Sequence, residues 1–352
     1  MKNVLINATS LDAVGALTIL NQYTDNLAKK SEDDKEYYVF VPDACIIKEL
    51  KSNIHYIKNS ENLLYKGRNY WNSIGMKKWC KNNRINPYEI FSMQNYYPFG
   101  FGNKKFFKRL YLHQSIPFFD YKWRLFKKEE RVLWFYKNIY YFLIKWSVKK
   151  SNQVIVQTEW FKKQLVKIFN IDKEKIIVEK PVLNKIDPKN YNKYTELKGQ
   201  LKLFYPASEF IYKNHEILYK AMDIIVNEYN FKNIVLYLTL EDSNNYVLDF
   251  IKKYNLSDNI ILTGILDYEQ VMHYYKTVDV LVFPSKIETF GLPLIEAQYF
   301  NLPIIASDLE LYREVIGNYS GDVVYCKYDD ARKWADSIIF LSVNDRSIMR
   351  HK

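Results

Sequence analysis

The C-terminal half of the chain alternates between short apolar runs without polar interruption and longer stretches whose apolar residues recur every three or four positions. LKLFYP, NIVLYLTL, NIILTG, VDVLVFPS and LPIIAS read as strands, and NHEILYKAMDIIVNEY, NYVLDFIKKY, YEQVMHYYKT, LPLIEAQYF and LYREVI as helices. Strands of this kind, separated by helices, predict a parallel sheet covered on both faces. The N-terminal half opens the same way. KNVLIN is a buried strand, AVGALTILNQYTDNLAKK an amphipathic helix with Asp12 as its expected N-cap, and EYYVFVP a second strand. The pattern then gives out until RLYLHQ, read as a strand ending at a loop and followed by a basic, aromatic helix. NQVIVQT, EWFKKQLVKIFN and KIIVEKPV complete a strand, helix, strand series.

Two α/β domains in series place a cleft between them, with ligands expected beyond the carboxyl ends of the strands. At 352 residues the chain exceeds the reach of one hydrophobic core. The polar stretch LNKIDPKNYNKYTELKGQ is the expected linker. The organisation predicted is an N-terminal domain over 1–185, a linker over 186–199, a C-terminal domain over 200–340 and a tail over 341–352.

Composition narrows the class. Apolar residues make up 48% and aromatic ones 17%, so burial can offset chain entropy and disorder is excluded. Cys45, Cys80 and Cys326 are far apart and lie in no metal-ligand spacing, which argues against a disulfide scaffold or structural zinc. The start, MKNVLINATS, has too short an apolar run for a signal peptide. VLWFYKNIYYFLIKW is interrupted by Lys137 and Lys145 and falls short of the roughly 20 residues that span a bilayer. A soluble cytoplasmic protein, at most lying on a membrane, is expected.

Charge changes the picture locally. Residues 103–150 hold 13 Lys and Arg against three Asp and Glu, which accounts for nearly all of the net +11, and the same stretch carries 15 aromatic residues. LLYKGRNYWNSIGMKKWCKNNR adds six basic residues and no acid. Basic residues interleaved with rings suit an anionic headgroup layer. Lys104, Lys105, Lys108, Arg109, Trp123, Arg124, Lys127, Lys128 and Arg131 are the expected membrane or acceptor face. An ordinary helix pair with lysines in water is the plain alternative. Nucleic acid is disfavoured, because no nucleic-acid fold signature accompanies the patch.

The chemistry lies at the strand ends of the second half. After VDVLVFPS come Glu288, Thr289, Phe290 and Gly291, then a helix from Leu292 with Pro293 in its first turn and Glu296 one turn inside. The free N–H groups and dipole of such a terminus suit a phosphate, and glycine permits close approach. Glu296 can accept from two neighbouring hydroxyls, as a ribose diol requires, and Glu288 would face another part of the same ligand. Two acids around an anion site make sense if the ligand is a sugar nucleotide. LFYPASEFIYKNHEIL places Lys213 after the domain's first strand, where it could neutralise a departing diphosphate. Neither a GxxxxGK[ST] loop nor a GxGxxG turn occurs, and without a DxD pair the usual carboxylate anchor for a nucleotide-bound divalent metal is missing.

ETFGLPLIE resembles the E-x7-E element of retaining GT-B glycosyltransferases, specifically glycosyltransferase family four. YPASEFIYKNHEIL resembles the family's phosphate-lysine segment, and the resemblance is specific from about residue 201 to 325. It implies the GT-B fold, two Rossmann-like parallel-sheet domains facing a cleft. It also implies a retaining, metal-independent hexosyltransferase with no bound cofactor and a UDP-, GDP- or dTDP-sugar as co-substrate. In that scheme Glu296 binds the ribose and Glu288 the donor hexose. Lys213 and the backbone of Phe290, Gly291 and Leu292 hold the diphosphate, and Gly264 with Ile265 lies under the base. Thr289 and Ile265 would bear on donor choice.

YLHQSIPF resembles the segment whose histidine, here His113, faces the donor sugar, and NATSLDAVGAL corresponds to the first loop, with Gly15 near the diphosphate. Where family members often have an arginine before the lysine, this chain has Ser208 and Glu209; Ser208 is counted with the donor site. His113, Lys213 and Glu288 are the expected catalytic set. With the basic patch, the resemblance implies transfer to a lipid-linked saccharide acceptor in surface polysaccharide synthesis, such as lipopolysaccharide or capsule, at the inner face of the cell membrane. A GT-B sugar-nucleotide epimerase, a phosphorylase and a non-catalytic membrane or nucleic-acid binding protein are the alternatives.

Overall fold

The computed structural model describes residues 1–349 apart from 13, 49, 103, 104, 182–185 and 244, and the side chains of these except for residues 14, 245, 246 and 342–349. The chain divides into two compact units, Met1–Val182 and Leu183–Lys352.

In the first unit the elements run β1 (Lys2–Asn7), α1 (Val14–Lys30), β2 (Lys35–Val41), β3 (Ile54–Lys58), α2 (Arg68–Tyr70), α3 (Met76–Asn82), β4 (Pro87–Ser92) and β5 (Phe107–Tyr111). They continue with α4 (Arg131–Phe135), α5 (Tyr141–Lys150), β6 (Gln153–Val156), α6 (Glu159–Phe169) and β7 (Ile176–Val178). The seven strands are all parallel, in the order β3-β2-β1-β4-β5-β6-β7. Thr158 begins α6 with its hydroxyl accepting from Phe161 N, and Asn170 ends it in the left-handed region.

The second unit repeats the plan: β8 (Leu201–Tyr205), α7 (His215–Asp223), β9 (Ile234–Leu238), α8 (Asn245–Lys253), β10 (Ile260–Leu262), α9 (Tyr268–Thr277), β11 (Val280–Phe283), α10 (Leu292–Tyr299), β12 (Ile304–Ser307), α11 (Glu310–Ile316), β13 (Val323–Cys326) and α12 (Ala331–Met349). Its six parallel strands follow the order β10-β9-β8-β11-β12-β13. Every residue of β9, β11 and β12 is buried, which is why these strands carry no polar alternation. In both units the order reverses beside the first strand, between β1 and β4 and between β8 and β11. Open α/β sheets bind ligands outside the carboxyl ends of strands at such a switch point.

Several local expectations change. α1 starts at Val14, so Asp12 stands two residues before it, and residue 13, which would cap it, lies outside the described residues. β3 and β4 fill the stretch where the pattern gave out. β3 is a half-exposed edge strand, and β4 carries a charge because Glu89 pairs with Arg109 at 3.0 Å. The basic aromatic segment is helical only from Arg131; before it come β5, a turn at Ile116–Phe118 and irregular chain.

The stretch expected as linker is held to the second unit. Tyr194 N donates to Thr277 Oγ1 at 2.8 Å, Tyr237 Oη donates to Lys198 O at 2.9 Å, and the rings of Tyr191 and Tyr194 lie against His273. β13, unread in the sequence, pairs with β12, and α12 buries Trp334, Ala335, Ile338 and Leu341.

Candidate active site

β8 and β11 are hydrogen-bonded neighbours, with Leu281 beside Phe204, so the loops that follow them share one pole of the sheet. Backbone and side-chain bonds knit these loops together. Lys286 N donates to Tyr212 O at 2.8 Å, and Tyr205 Oη donates to Lys213 O at 2.8 Å. Asn214, held left-handed at φ 63°, donates from Nδ2 to Pro284 O and Tyr328 O, tying a third loop to the pair. The outcome is an ion pair between Lys213 Nζ and Glu288 Oε1 at 2.5 Å, with the side chains 17% and 15% exposed. The two predicted residues therefore meet each other, where the sequence placed each separately on a ligand.

Gly291 N-caps α10 at φ 92°, and no side chain caps the helix. A Cβ at Gly291 would stand 3.2 Å from Leu294 Cδ1, so both the backbone angle and the space call for glycine. Pro293 occupies the first turn and brings no N–H needing a partner. Phe290 is buried, while Thr289 and Leu292 are half-buried.

Glu296 is only 7% exposed, and its Oε2 accepts from Tyr275 Oη at 3.1 Å. Burial pushes its carboxyl up to about 7 against the pull of that hydrogen bond. Tyr275 belongs to α9, which begins with a reciprocal cap between Asp267 and Gln270. Immediately before that cap lie Gly264, left-handed at φ 75° with open space where a Cβ would be, and Ile265, 77% exposed. Burial and the nearby Glu296 both push the Tyr268 phenol up. α9 thus joins the Gly264 loop to Glu296. Ser208 is exposed in the loop after β8.

In the first unit, Gly15 is exposed at the start of α1 with nothing within 4 Å of a built Cβ. His113 lies just beyond β5 and is gripped by Asn95: Asn95 Oδ1 accepts from His113 N at 2.7 Å and Asn95 Nδ2 lies 3.0 Å from His113 Nε2. An amide whose oxygen is already committed must donate through its nitrogen, so Nε2 accepts and the ring proton sits on Nδ1. Burial, with the charge of Arg68 adding to it, pulls the imidazole down to about 4 and keeps it neutral.

The expected membrane face is only partly exposed. Trp123 is 8% exposed, so packing removes it from the surface, and Arg109 is half-buried, turned to Glu89 and over the ring of Phe91. Lys104 lies outside the described residues. Lys105, Arg124, Lys127, Lys128 and Arg131 are exposed and Lys108 is half-buried. Beside them Val132, Phe135, Ile139, Phe142 and Trp146 are exposed at spacings of three and four residues. Among the described residues no helix is long and apolar enough to cross a membrane, and no three His, Cys, Asp or Glu gather as a metal cluster.

Residues 187–352 match the family model described as Glycosyl transferases group 1. That match covers nearly all of the second unit. The chain is 27% identical over 206 residues to the O-antigen chain mannosyltransferase RfbU of Salmonella typhimurium, covering 58% of this chain and 55% of that protein. It thus spans about half the length of that relative, and the same holds for an uncharacterized glycosyltransferase of Methanocaldococcus jannaschii, at 25% identity over 202 residues, 53% of this chain and 50% of the relative.

In fold the likeness extends over both units. Sucrose-phosphate synthase of Thermosynechococcus elongatus superposes with a TM-score of 0.68 at 17% identity, covering 97% of this chain and 90% of that one. The Anabaena protein HepE, solved with UDP and glucose, gives 0.59 at 12% identity over 97% and 89%. Two Rossmann-like parallel-sheet units with these neighbours make the fold GT-B.

Within the second unit, sequence reading missed Tyr275 and Tyr268. Their spacing of seven within YEQVMHYYKT, which sets both on one face of α9, was the available signal. In the first unit it missed Asn95 and Arg68, which lie in the region without a readable period.

Proposed function

We propose that the protein is a retaining glycosyltransferase that moves a hexose or deoxyhexose from a nucleotide-diphosphate sugar to a hydroxyl of a lipid-linked saccharide acceptor in surface polysaccharide synthesis. The observation that carries this reading is the meeting of Lys213 and Glu288 across the β8–β11 switch point, beside the uncapped N-terminus of α10. A diphosphate arriving there would draw Lys213 from Glu288. The lysine and the first-turn N–H groups would then meet the negative charge growing on the leaving group. Glu288, released, would accept from the donor sugar. Glu296 would accept from the ribose hydroxyls, and the open backbone at Gly264 would face the base. Lys213 and the helix end supply the charge compensation in this scheme, so the reaction needs no divalent metal. His113 serves as a neutral hydrogen-bonding group toward the sugar, since burial keeps it from acting as an acid at neutral pH.

The membrane part of the reading rests on α4 and α5. The exposed stripe of Val132, Phe135, Phe142 and Trp146 on these helices, with Ile139 on the π-helical turn that joins them, is flanked by Arg124, Lys127, Lys128 and Arg131 and suits the interface of an anionic bilayer, on the cytoplasmic side of the cell membrane. The RfbU likeness favours a role in O-antigen or related polysaccharide synthesis.

The test is a thermal-shift and hydrolysis screen across UDP-, GDP- and dTDP-sugars, with and without EDTA. A stabilising nucleotide sugar and slow, EDTA-insensitive donor hydrolysis are expected. Silence across all three bases would overturn the reading.

A further inference from the structure

At the carboxyl pole of the first sheet a polar network is closed except at one residue. Asn7, Asn72 and Gln94 are each no more than 1% exposed. Asn7 Nδ2 donates to Asn72 Oδ1 at 2.8 Å, and Trp71 Nε1 donates to Asn7 Oδ1 at 3.2 Å. Asn72 Nδ2 in turn donates to Arg68 O at 2.9 Å. Arg68 stands against this network as a half-buried guanidinium. Its Nη2 donates to Gln94 O at 3.2 Å and to Tyr140 Oη at 2.7 Å, and the group lies over the rings of Tyr96 and Tyr140. Its Nε is buried without a partner, and among the described residues no carboxylate forms an ion pair with it. Arg109, by contrast, has Glu89 at 3.0 Å.

A cation withdrawn from water with only phenols and a carbonyl around it is costly unless an anion completes it. The guanidinium fork matches phosphate and carboxylate oxygens. The position is also right for a ligand. Gln94 and Asn95 follow β4, Thr9 follows β1, and the reversal of strand order falls between those strands. Asn95 holds His113, and the charge of Arg68 is felt at that imidazole, so the arginine and the histidine border one region.

We propose that Arg68 forms an oxyanion site in the first unit that takes a phosphate or carboxylate group carried by the acceptor. The oxyanion site stands on the geometry of the first unit. Assigning it to the acceptor rests on the transferase reading, in which the donor diphosphate is met by Lys213 and α10 in the second unit. The site would make the enzyme select acidic or phosphorylated acceptors over neutral ones.

The experiment uses the full chain. Binding of inorganic phosphate, glycerol 3-phosphate and glucuronate is measured by titration against glycerol and glucose, for the parent, Arg68→Gln and Arg68→Lys. UDP binding and Tm are followed in parallel. The anionic probes should bind and the neutral ones should not. Arg68→Gln should weaken the anions by ~10- to 100-fold, with Arg68→Lys in between because it keeps the charge and loses the fork. UDP affinity should stay within about twofold, as expected for a group that makes no contact with it. Phosphate binding against glycerol 3-phosphate and glucuronate separates a bare phosphate site from one shaped for an organic anion. Equal anion affinity in Arg68→Gln at unchanged Tm overturns the site, and so does an equal loss in both variants with a collapsed Tm, which marks a structural arginine. A parallel loss of UDP affinity would assign Arg68 to the donor and overturn the acceptor assignment. Absence of UDP, GDP and dTDP binding alike in the parent would strike the transferase reading alone, leaving the anion arm to decide the oxyanion site.

Discussion

Lys213 Nζ and Glu288 Oε1 lie 2.5 Å apart although 75 residues separate them in the chain. Each is mostly sheltered from water, so each offsets part of the other's desolvation. Lys213→Ala should lower donor turnover by ~100- to 1000-fold, the scale of removing one group that stabilises a developing anion. Glu288→Gln should retain nucleotide binding and lose sugar turnover. In thermal unfolding, Lys213→Ala and Glu288→Ala together should cost less than the sum of the two, because either alone strands a charge. Additive losses, or full turnover in Lys213→Ala, would remove the pair from the mechanism.

Glu296 predicts opposite trends in stability and binding. Its carboxyl ionises at 4.5 in the ordinary range and at about 7 when folded, so the folded protein keeps the proton longer. That contribution is complete below pH 4.5 and is lost as pH rises to 7. Glu296→Gln, which never ionises, should therefore be more stable than the parent at pH 8 by about 3 kcal/mol and no different at pH 4. UDP binding should strengthen in the parent between pH 6 and 8, as the carboxylate becomes a full acceptor for two hydroxyls, and be weak and flat in Glu296→Gln. Stability curves with the same pH slope in both proteins would contradict the burial argument.

Acid should act through histidine. Burial, then the charge of Lys213, pulls His215 down to about 3, against an ordinary 6.5. For a base with a depressed folded value, the stabilisation is present above pH 6.5 and is lost as pH falls toward 3. Down to pH 4, His215→Asn should flatten the acid limb of the stability curve by up to about 3 kcal/mol. Chemical denaturation from pH 7 to 4 is the measurement. An unchanged acid slope would place the acid sensitivity elsewhere.

The exposed stripe on α4 and α5 should govern membrane binding. Phe135→Ser with Phe142→Ser should reduce co-sedimentation with vesicles containing anionic lipid by about tenfold or more, from lost apolar burial alone. Raising NaCl should weaken the parent's binding through the basic flank. Donor hydrolysis in water should be unaffected by the pair of changes. Equal sedimentation of parent and variant would return this stripe to the ordinary exposed surface.

Much of the second unit is legible because its strands are buried on both faces and its helices present one apolar stripe each. Under those conditions hydropathy and secondary structure carry the same information. The first unit was harder, for identifiable reasons. β3 is an edge strand with mixed exposure, β4 carries Glu89 because Arg109 arrives from β5, and α2 has no buried residue to mark a period. The basic aromatic segment misled because charge and aromaticity do not say which side chains pack. Trp123 went inward and Arg109 turned to Glu89, while Phe126, at 94% exposed, went out.

By itself the sequence determined the parallel α/β class, the two-unit size, the loop from Glu288 to Glu296 at a helix start, and Lys213 at a strand end. Those features depend on local periodicity, on glycine and proline chemistry, and on spacing within one segment. Only the tertiary structure decided that Lys213 and Glu288 pair, that Tyr275 caps the buried Glu296, that Asn95 fixes the His113 tautomer, and that Arg68 stands without an acid among the described residues. Each of those depends on side chains from different strands or helices meeting at the reversal of a sheet or along a helix face, and strand order is not written in any local pattern.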